Sequence, residues 1–392
     1  MKTGLVFDVN SLYPWTMYEC KLPYGDPIFF EGEYEQDDTY NLYVQHMTTH
    51  IKLKEGYLPT IQVKKNFSFI PTEYITDSTV DANGEPNYEP LELWLTSVDL
   101  ELLKEHYELL NPQYINGWKF RSTNKLFRDY IDKWMKVKIE SSQNGNKAMR
   151  TLAKLMLNAL YGKFALKPTV KGKHPFYDEG QIRYTVGKEE TRPPLYIPVG
   201  VFVTSWARYK TITSAQKLYK YFVYADTDSL HLSIPLTDEV LGMRAKQLEK
   251  LTTKELQDLG IPLPDGFEVD PVALGAWKLE SKFYRARFIR QKSYIEEWNE
   301  PDTWDKERFS TKHVKEWCED NDVDFTEEIK KYKGMYDIDL LNITCAGMPT
   351  SCYPYVTWDN FHEGQSYSGK LMPQHVKGGI VFKDIDFTIQ KG

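Results

Sequence analysis

Four groups of residues in this chain have types and spacings that could do chemistry. Asp8 ends the apolar run Gly4-Leu5-Val6-Phe7-Asp8, which reads as a short buried strand. An unpaired carboxylate buried there costs several kcal/mol, and metal coordination offsets that cost. Asp226 and Asp228 lie in Tyr224-Ala225-Asp226-Thr227-Asp228-Ser229. Phe222 and Val223 precede them, and Leu230, Leu232 and Ile234 alternate after them, which predicts a hairpin with carboxylates at its tip. Two Asp at that spacing share one side of an extended chain and favour a bound divalent cation. Taken alone, each has a plainer reading: an Asp capping the next turn, and an Asp-rich turn.

The third group is a helix face. Lys154, Asn158 and Tyr161 stand at i, i+4 and i+7, and Arg150 extends the face by a turn. Two cations, an amide and an aromatic ring suit a triphosphate and a stacked base. Leu152, Leu155, Met156 and Leu160 fall on the other side and are expected to pack on the core. The fourth is Arg290-Gln291-Lys292-Ser293-Tyr294, where Lys292 and Tyr294 alternate along an expected strand. A cation beside an amphipathic ring suits a sugar-phosphate backbone. Here too a solvated basic face and a polar edge strand are the plainer alternatives.

The elements that must position these groups follow from local pattern. After the strand at residues 4–9, Asn10 to Pro14 is expected to turn, with Pro14 ending the element. Residues 20–117 are mixed and strand-rich. A helix is predicted from about Asp99 to Leu110, and a long helical region from about Asn124 to Phe164, broken by a loop near 141–146. Residues 165–195 look like an exposed β-hairpin. A strand, a helix around Ala207–Leu218 and two further strands fill 197–235. Residues 296–340 form an acidic stretch, and the last forty residues a small β-rich unit.

Composition bounds the class. With 392 residues the chain has room for two or three domains. The balance of 49 Lys/Arg against 56 Asp/Glu gives a net charge of −7, which on average argues against a nucleic-acid binder. Charge is local, however. Trp118 to Pro175 carry 14 Lys/Arg against 3 Asp/Glu, and residues 277–294 carry 6 against 1; residues 296–340 carry 7 against 15. No apolar run approaches the ~18 residues of a membrane span. Cys20, Cys318, Cys345 and Cys352 form no C-x-x-C pair, so reduced thiols and a cytoplasmic setting are expected.

In their joint order the four groups resemble family B DNA polymerases. Asp8-Val9-Asn10-Ser11-Leu12-Tyr13-Pro14 is similar to motif A, Lys154 to Gly162 to motif B, Tyr224 to Ser229 to motif C, and Lys292-Ser293-Tyr294 to the K-x-Y motif. The resemblance is closest to the terminal-protein-primed polymerases of small Bacillus phages and covers nearly the whole chain. Leu58-Pro59-Thr60-Ile61-Gln62, Phe127 to Trp134 and Cys345-Ala346-Gly347-Met348 also match that group.

The resemblance implies an α+β right-hand fold with an antiparallel-sheet palm, helical fingers and a small β-rich thumb. It places palm at 1–19 and 192–347, insertions at 20–125 and 166–191, fingers at 126–165 and thumb at 348–392. It implies two Mg²⁺ ions, with Mn²⁺ an acceptable substitute, held by Asp8 and Asp228 with the Val9 carbonyl and Asp226 nearby. Lys154, Arg150 and Lys138 would meet the triphosphate, and Tyr13 would lie under the deoxyribose and exclude ribonucleotides. Asn158 and Tyr161 would line the base-pair pocket. Ser11, Gly162, Thr227, Lys292 and Tyr294 would contact DNA or steady the primer terminus. Template-primer DNA, dNTPs and a terminal protein are the implied partners, in a phage protein of the host cytoplasm.

Three departures stand out. Motif B usually reads Asn-Ser-x-Tyr-Gly, and Ala159 replaces the Ser. The acidic stretch at 296–340 is longer than expected. Motif A begins at residue 8, which leaves no room for a proofreading exonuclease or the start of the palm, so the polymerase half of a split or truncated enzyme is expected, a separate chain being one source of both. The alternative to a polymerase is a catalytically weak fragment that binds DNA or a partner; a nuclease would leave Tyr13 and the Lys154–Tyr161 face without a role.

Overall fold

The computed structural model describes residues 3–63, 73–81, 83–178, 181–193, 195–243, 245–298, 318–319, 322, 341–376 and 379–390. The chain opens with β1 (Gly4–Val9) and α1 (Leu12–Glu19). Five strands follow: β2 (Leu22–Glu31), β3 (Leu42–Leu53), β4 (Gln62–Val63), β5 (Glu73–Tyr74) and β6 (Leu91–Thr96). Then come α2 (Ser97–His106), β7 (Tyr107–Thr123), α3 (Arg128–Gln143) and α4 (Lys147–Phe164). A hairpin of β8 (Thr169–Asp178) and β9 (Gln181–Thr191) leads to the long α5 (Ile197–Lys217). Next are β10 (Phe222–Asp226), β11 (Ser229–Leu232), the short α6 (Asp238–Gly242), α7 (Ala245–Leu248) and α8 (Thr253–Asp258), and β12 (Trp277–Phe283). The chain closes with β13 (Arg285–Arg290), β14 (Ser293–Glu297), β15 (Leu341–Cys345), β16 (Ser366–Val376) and β17 (Gly379–Thr388).

The strand predicted from the first apolar run is the heart of the molecule. β1 is an inner strand of an antiparallel sheet ordered β10-β11-β1-β12. Its flank by strands on both edges explains why its sequence is nearly all apolar. Leu5 and Phe7 point into a core with Leu230, Leu232, Leu279 and Trp277, while Val6 on the other face packs on Phe283 and Ala286. A second core, built from Met17, Ile131, Leu157, Phe202 and Val203, joins α1, α3, α4 and α5. It also takes Leu22, Leu42 and Phe120 from the sheet ordered β2-β7-β3-β6. The helix that follows strand β6, α2, is fastened to α5 at Asp99, which accepts from Arg208 Nε at 3.0 Å, Arg208 Nη2 at 2.8 Å and Ser205 Oγ at 2.7 Å.

Several expectations are corrected. Pro14 does not end an element; it is the third residue of α1, where its missing N–H would have had no helical partner anyway. The expected strand near 197 is the first half of α5, with Pro198 in its opening turn. Its apolar β-branched residues imitate a strand because the helix is buried on several sides, at Val199, Phe202, Val203, Ser205 and Ala207. The predicted helix at 99–110 begins at Ser97 and stops at His106, and Tyr107 starts β7. On α4 the buried residues are Ala153 and Leu157, whereas Leu152 and Leu155 are 41% and 61% exposed. Their expected core packing is therefore wrong, because α4 meets its neighbours along a narrower seam than the apolar side suggests. The 165–195 hairpin is present, and β17 pairs with β9, so the hairpin and the last two strands share one sheet. The acidic stretch at 296–340 lies almost wholly outside the described residues.

Candidate active site

Backbone pairing brings the first and second groups together. Asp8 stands opposite Ser229 on β11, and the Val9 N–H donates to the Asp228 carbonyl at 2.8 Å. The two carboxylates, 220 residues apart in sequence, are therefore neighbours by sheet register. The chain is not extended between Asp226 and Asp228, as the spacing had suggested. Thr227 sits at φ 52° in a tight turn, its carbonyl accepting from Thr211 Oγ1 at 2.8 Å. Burial, then the charges of Asp228 and Glu280, push the Asp8 pKa up to about 7, against the pull of Lys154 and Lys278. Burial also raises Asp228, with Asp226 adding to it. Two half-buried carboxylates, each raised by burial and by a neighbouring acidic charge, make a site that favours a bound cation.

The third group closes over them. α1 begins with Ser11 at φ 57°, and its first helical bond is Trp15 N–H to the Ser11 carbonyl at 2.9 Å. The Leu12 and Tyr13 N–H groups thus precede the helical ladder at an N-terminus suited to an anion. Lys138 on α3 donates to Ser11 Oγ at 3.2 Å. Burial lowers its pKa, as do the charges of Arg150, Lys154 and Lys278, so these cations form one cluster. Tyr13 stacks on Tyr161 with ring centroids 4.3 Å apart and planes at 19°. Asn158 is exposed on the same helix as Lys154. A Cβ on Gly162 would meet nothing within 4 Å, so no local crowding explains that glycine.

Lys292 is not on a strand, as its alternation with Tyr294 had predicted. It is the turn between β13 and β14, at φ 56°. From there its Nζ reaches Asp226 Oδ2 at 2.6 Å, and its N–H donates to the Tyr224 hydroxyl at 2.9 Å. Tyr294 follows on β14, its ring 5.2 Å from that of Tyr224. Among the described residues five non-glycine residues have positive φ, and three of them are Ser11, Thr227 and Lys292. Such strain, about 1–3 kcal/mol each, gathers where a site fixes the backbone.

Sequence reasoning missed Lys278 and Glu280 on β12. Lys278 stands opposite Asp8 in the strand register while its Nζ donates to Glu249 Oε2 at 2.8 Å, and a register shift after Val6 leaves Glu280 out of the ladder. The basic run at 277–294 contained both, but only the register brings them to Asp8. Among the described residues no three His, Cys, Asp or Glu side chains are gathered closely enough to hold an ion unaided. The donor set present, two oxygen-bearing carboxylates on one rim, fits a hard cation that keeps waters and takes further oxygens from phosphate.

Residues 1–241 match the family model for DNA polymerase type B, organellar and viral. The chain belongs to that family. It is 44% identical over 388 residues to a DNA polymerase of Bacillus phage Nf and 43% identical over 390 residues to that of Bacillus phage phi29, covering 99% of itself and 58% of each relative. It is similar along its whole length to the solved phi29 DNA polymerase complexed with primer-template DNA and incoming nucleotide substrates, with 40% identity and a TM-score of 0.71, again over 58% of that protein. The fold is the right-hand polymerase fold of this family, in its mixed helix-and-sheet form. The chain thus spans a little over half the length of these relatives. No helix among the described residues is long and apolar enough to cross a membrane.

Proposed function

We propose that this chain carries out DNA-templated DNA synthesis. The carrying observation is the meeting of Asp8 and Asp228 beneath the helix that bears Arg150, Lys154 and Tyr161. Asp8 and Asp228, with the Val9 carbonyl, would hold two divalent cations, Mg²⁺ or Mn²⁺. Such ions lower the pKa of a primer 3′-hydroxyl and neutralise the transferring phosphates. The residues of the chain do the rest by placement. Lys154, Arg150 and Lys138 pair with the triphosphate, and the N-terminus of α1 offers its free N–H groups. Tyr13, held by its stack on Tyr161, lies under the sugar where a 2′-hydroxyl would clash. Asn158 and Tyr161 face the new base pair, near Gly162. Lys292 and Tyr294 steady the primer terminus, and Ser11 and Thr227 shape the turns that carry the machinery.

The division into palm (1–19, 192–347), fingers (126–165), two insertions and thumb (348–392) belongs to the same reading. So does a protein primer. The test is primer extension with dNTPs, in Mg²⁺ and in Mn²⁺. Asp228→Asn removes a charge from a crowded pair, so its melting temperature is expected to hold while extension falls by about a thousandfold or more. Absence of extension by the unaltered chain under both conditions would overturn the proposal.

A further inference from the structure

One buried polar pair beside the site has no part in the reaction just described. His231 on β11 and Glu296 on β14 are 1% and 0% exposed, and His231 Nδ1 lies 2.6 Å from Glu296 Oε1. The other Glu296 oxygen accepts from Asn342 Nδ2 at 3.0 Å and Trp298 Nε1 at 3.4 Å. The His231 Nε2 atom is buried with no hydrogen-bond partner among the described residues. Rings of Tyr224, Phe288 and Tyr294 surround the imidazole at 5.1–5.5 Å.

The pair spans two separate sheets. β11 belongs to the sheet that carries Asp8, Asp226 and Asp228, while β14 belongs to the sheet ordered β13-β14-β15. His231 pairs with Val6 across β1, and Asp8 is two residues further along that strand. Alternation therefore puts His231 and Asp8 on one face, and β14 lies over it. Apolar residues filling this space would hold the sheets at least as firmly. What a directional bond adds is register: a one-residue slip of β14 would turn Glu296 away and carry Lys292 and Tyr294 out of place.

We infer that His231 and Glu296 form a positioning pair that sets the Lys292–Tyr294 turn at its height over the carboxylate hairpin. The pair thereby tunes the grip on a recessed primer terminus rather than the chemical step. This rests on the polymerase reading, and the experiment separates the two. Equilibrium binding is measured by fluorescence anisotropy for a duplex with a recessed 3′ end and for a blunt duplex of equal length, alongside melting temperature. The unaltered chain is expected to prefer the recessed end. Glu296→Leu strands His231 and is expected to lose that preference by about tenfold, together with some stability. His231→Leu with Glu296→Leu removes both partners, so the melting temperature is expected to recover while the preference stays lost. Glu296→Gln keeps an acceptor for His231 and is expected to retain the preference. An unaltered chain without preference sinks the primer-grip reading itself. A preference intact in the folded double variant, or lost in Glu296→Gln, overturns the positioning role alone.

Discussion

At the residue scale, Asp8 shows what the fold does to a side chain. Its folded pKa, about 7, lies above the ordinary Asp value of about 3.9, so between the two the metal-free folded state binds more protons than the unfolded chain. The associated stability is present below about pH 4 and is lost as pH rises through about 7. In EDTA the melting temperature is therefore expected to drop from about pH 5 to about pH 8, and Asp8→Asn to flatten that part of the profile. Mg²⁺ is expected to raise the melting temperature more at the higher pH, where no proton competes with it. A wild-type profile as flat as the variant's would remove Asp8 from the role of crowded carboxylate. Tyr13 carries a different consequence. Its stack with Tyr161 is worth about 0.5–1.5 kcal/mol and fixes the ring near the Asp228 charge. Tyr13→Val is expected to raise ribonucleotide incorporation relative to dNTPs by about a hundredfold, read from single-nucleotide extension; unchanged selectivity would take the steric gate away from Tyr13.

At the element scale, the turn after β1 is held from behind. Gly275 sits at φ 79°, its N–H donates to the Asn10 carbonyl at 2.9 Å, and a Cβ there would lie 1.9 Å from Cδ1 of Trp15. Both the left-handed backbone and the close approach require glycine. Trp15 in turn carries Lys210 over its ring at 4.2 Å, so the indole has little room to withdraw. Gly275→Ala is expected to destabilise the protein by about 2–4 kcal/mol and to tilt α1, lowering activity more than the folded fraction alone explains. Chemical denaturation beside extension rate checks both halves. The same logic explains the mistaken elements. Pro14 looks like a breaker in a linear reading, yet it stands in the first turn of a helix, as Pro198 does in α5. Lys292 looked like a strand residue because Lys-x-Tyr alternates, yet it occupies a turn that lets Nζ reach across to Asp226.

Over the whole molecule, charge is arranged rather than averaged. Residues 118–175 hold 14 of the 49 basic side chains and only 3 of the 56 acidic ones, and they include α3 and α4, which carry Lys138, Arg150 and Lys154. A net charge of −7 therefore does not weaken the electrostatic case for DNA. Binding of primer-template is expected to weaken by about tenfold or more between about 50 and 200 mM salt. Lys167→Ala and Lys173→Ala are each expected to reduce the salt slope by about 1 if these side chains meet phosphates. A slope near zero would place DNA elsewhere. The sheet made by β8, β9, β16 and β17 matters here too, because it joins the β8–β9 hairpin to the chain's last strands.

By itself the sequence determined the residue types of the site and their order: Asp8, then Arg150 to Tyr161, then Asp226 and Asp228, then Lys292 and Tyr294. It also determined the elements whose period was strong, β1 and the broken helix pair α3–α4, because local pattern writes itself directly into local structure. Tertiary structure decided the rest. Lys278 and Glu280 reach Asp8 only through the register of β12, and His231 meets Glu296 only because one sheet lies across another. Leu152 and Leu155 were left exposed by the seam that α4 uses. Such contacts join residues far apart in the chain, and nothing within a short window distinguishes the His, Glu or Gly that makes one from its unpaired neighbours.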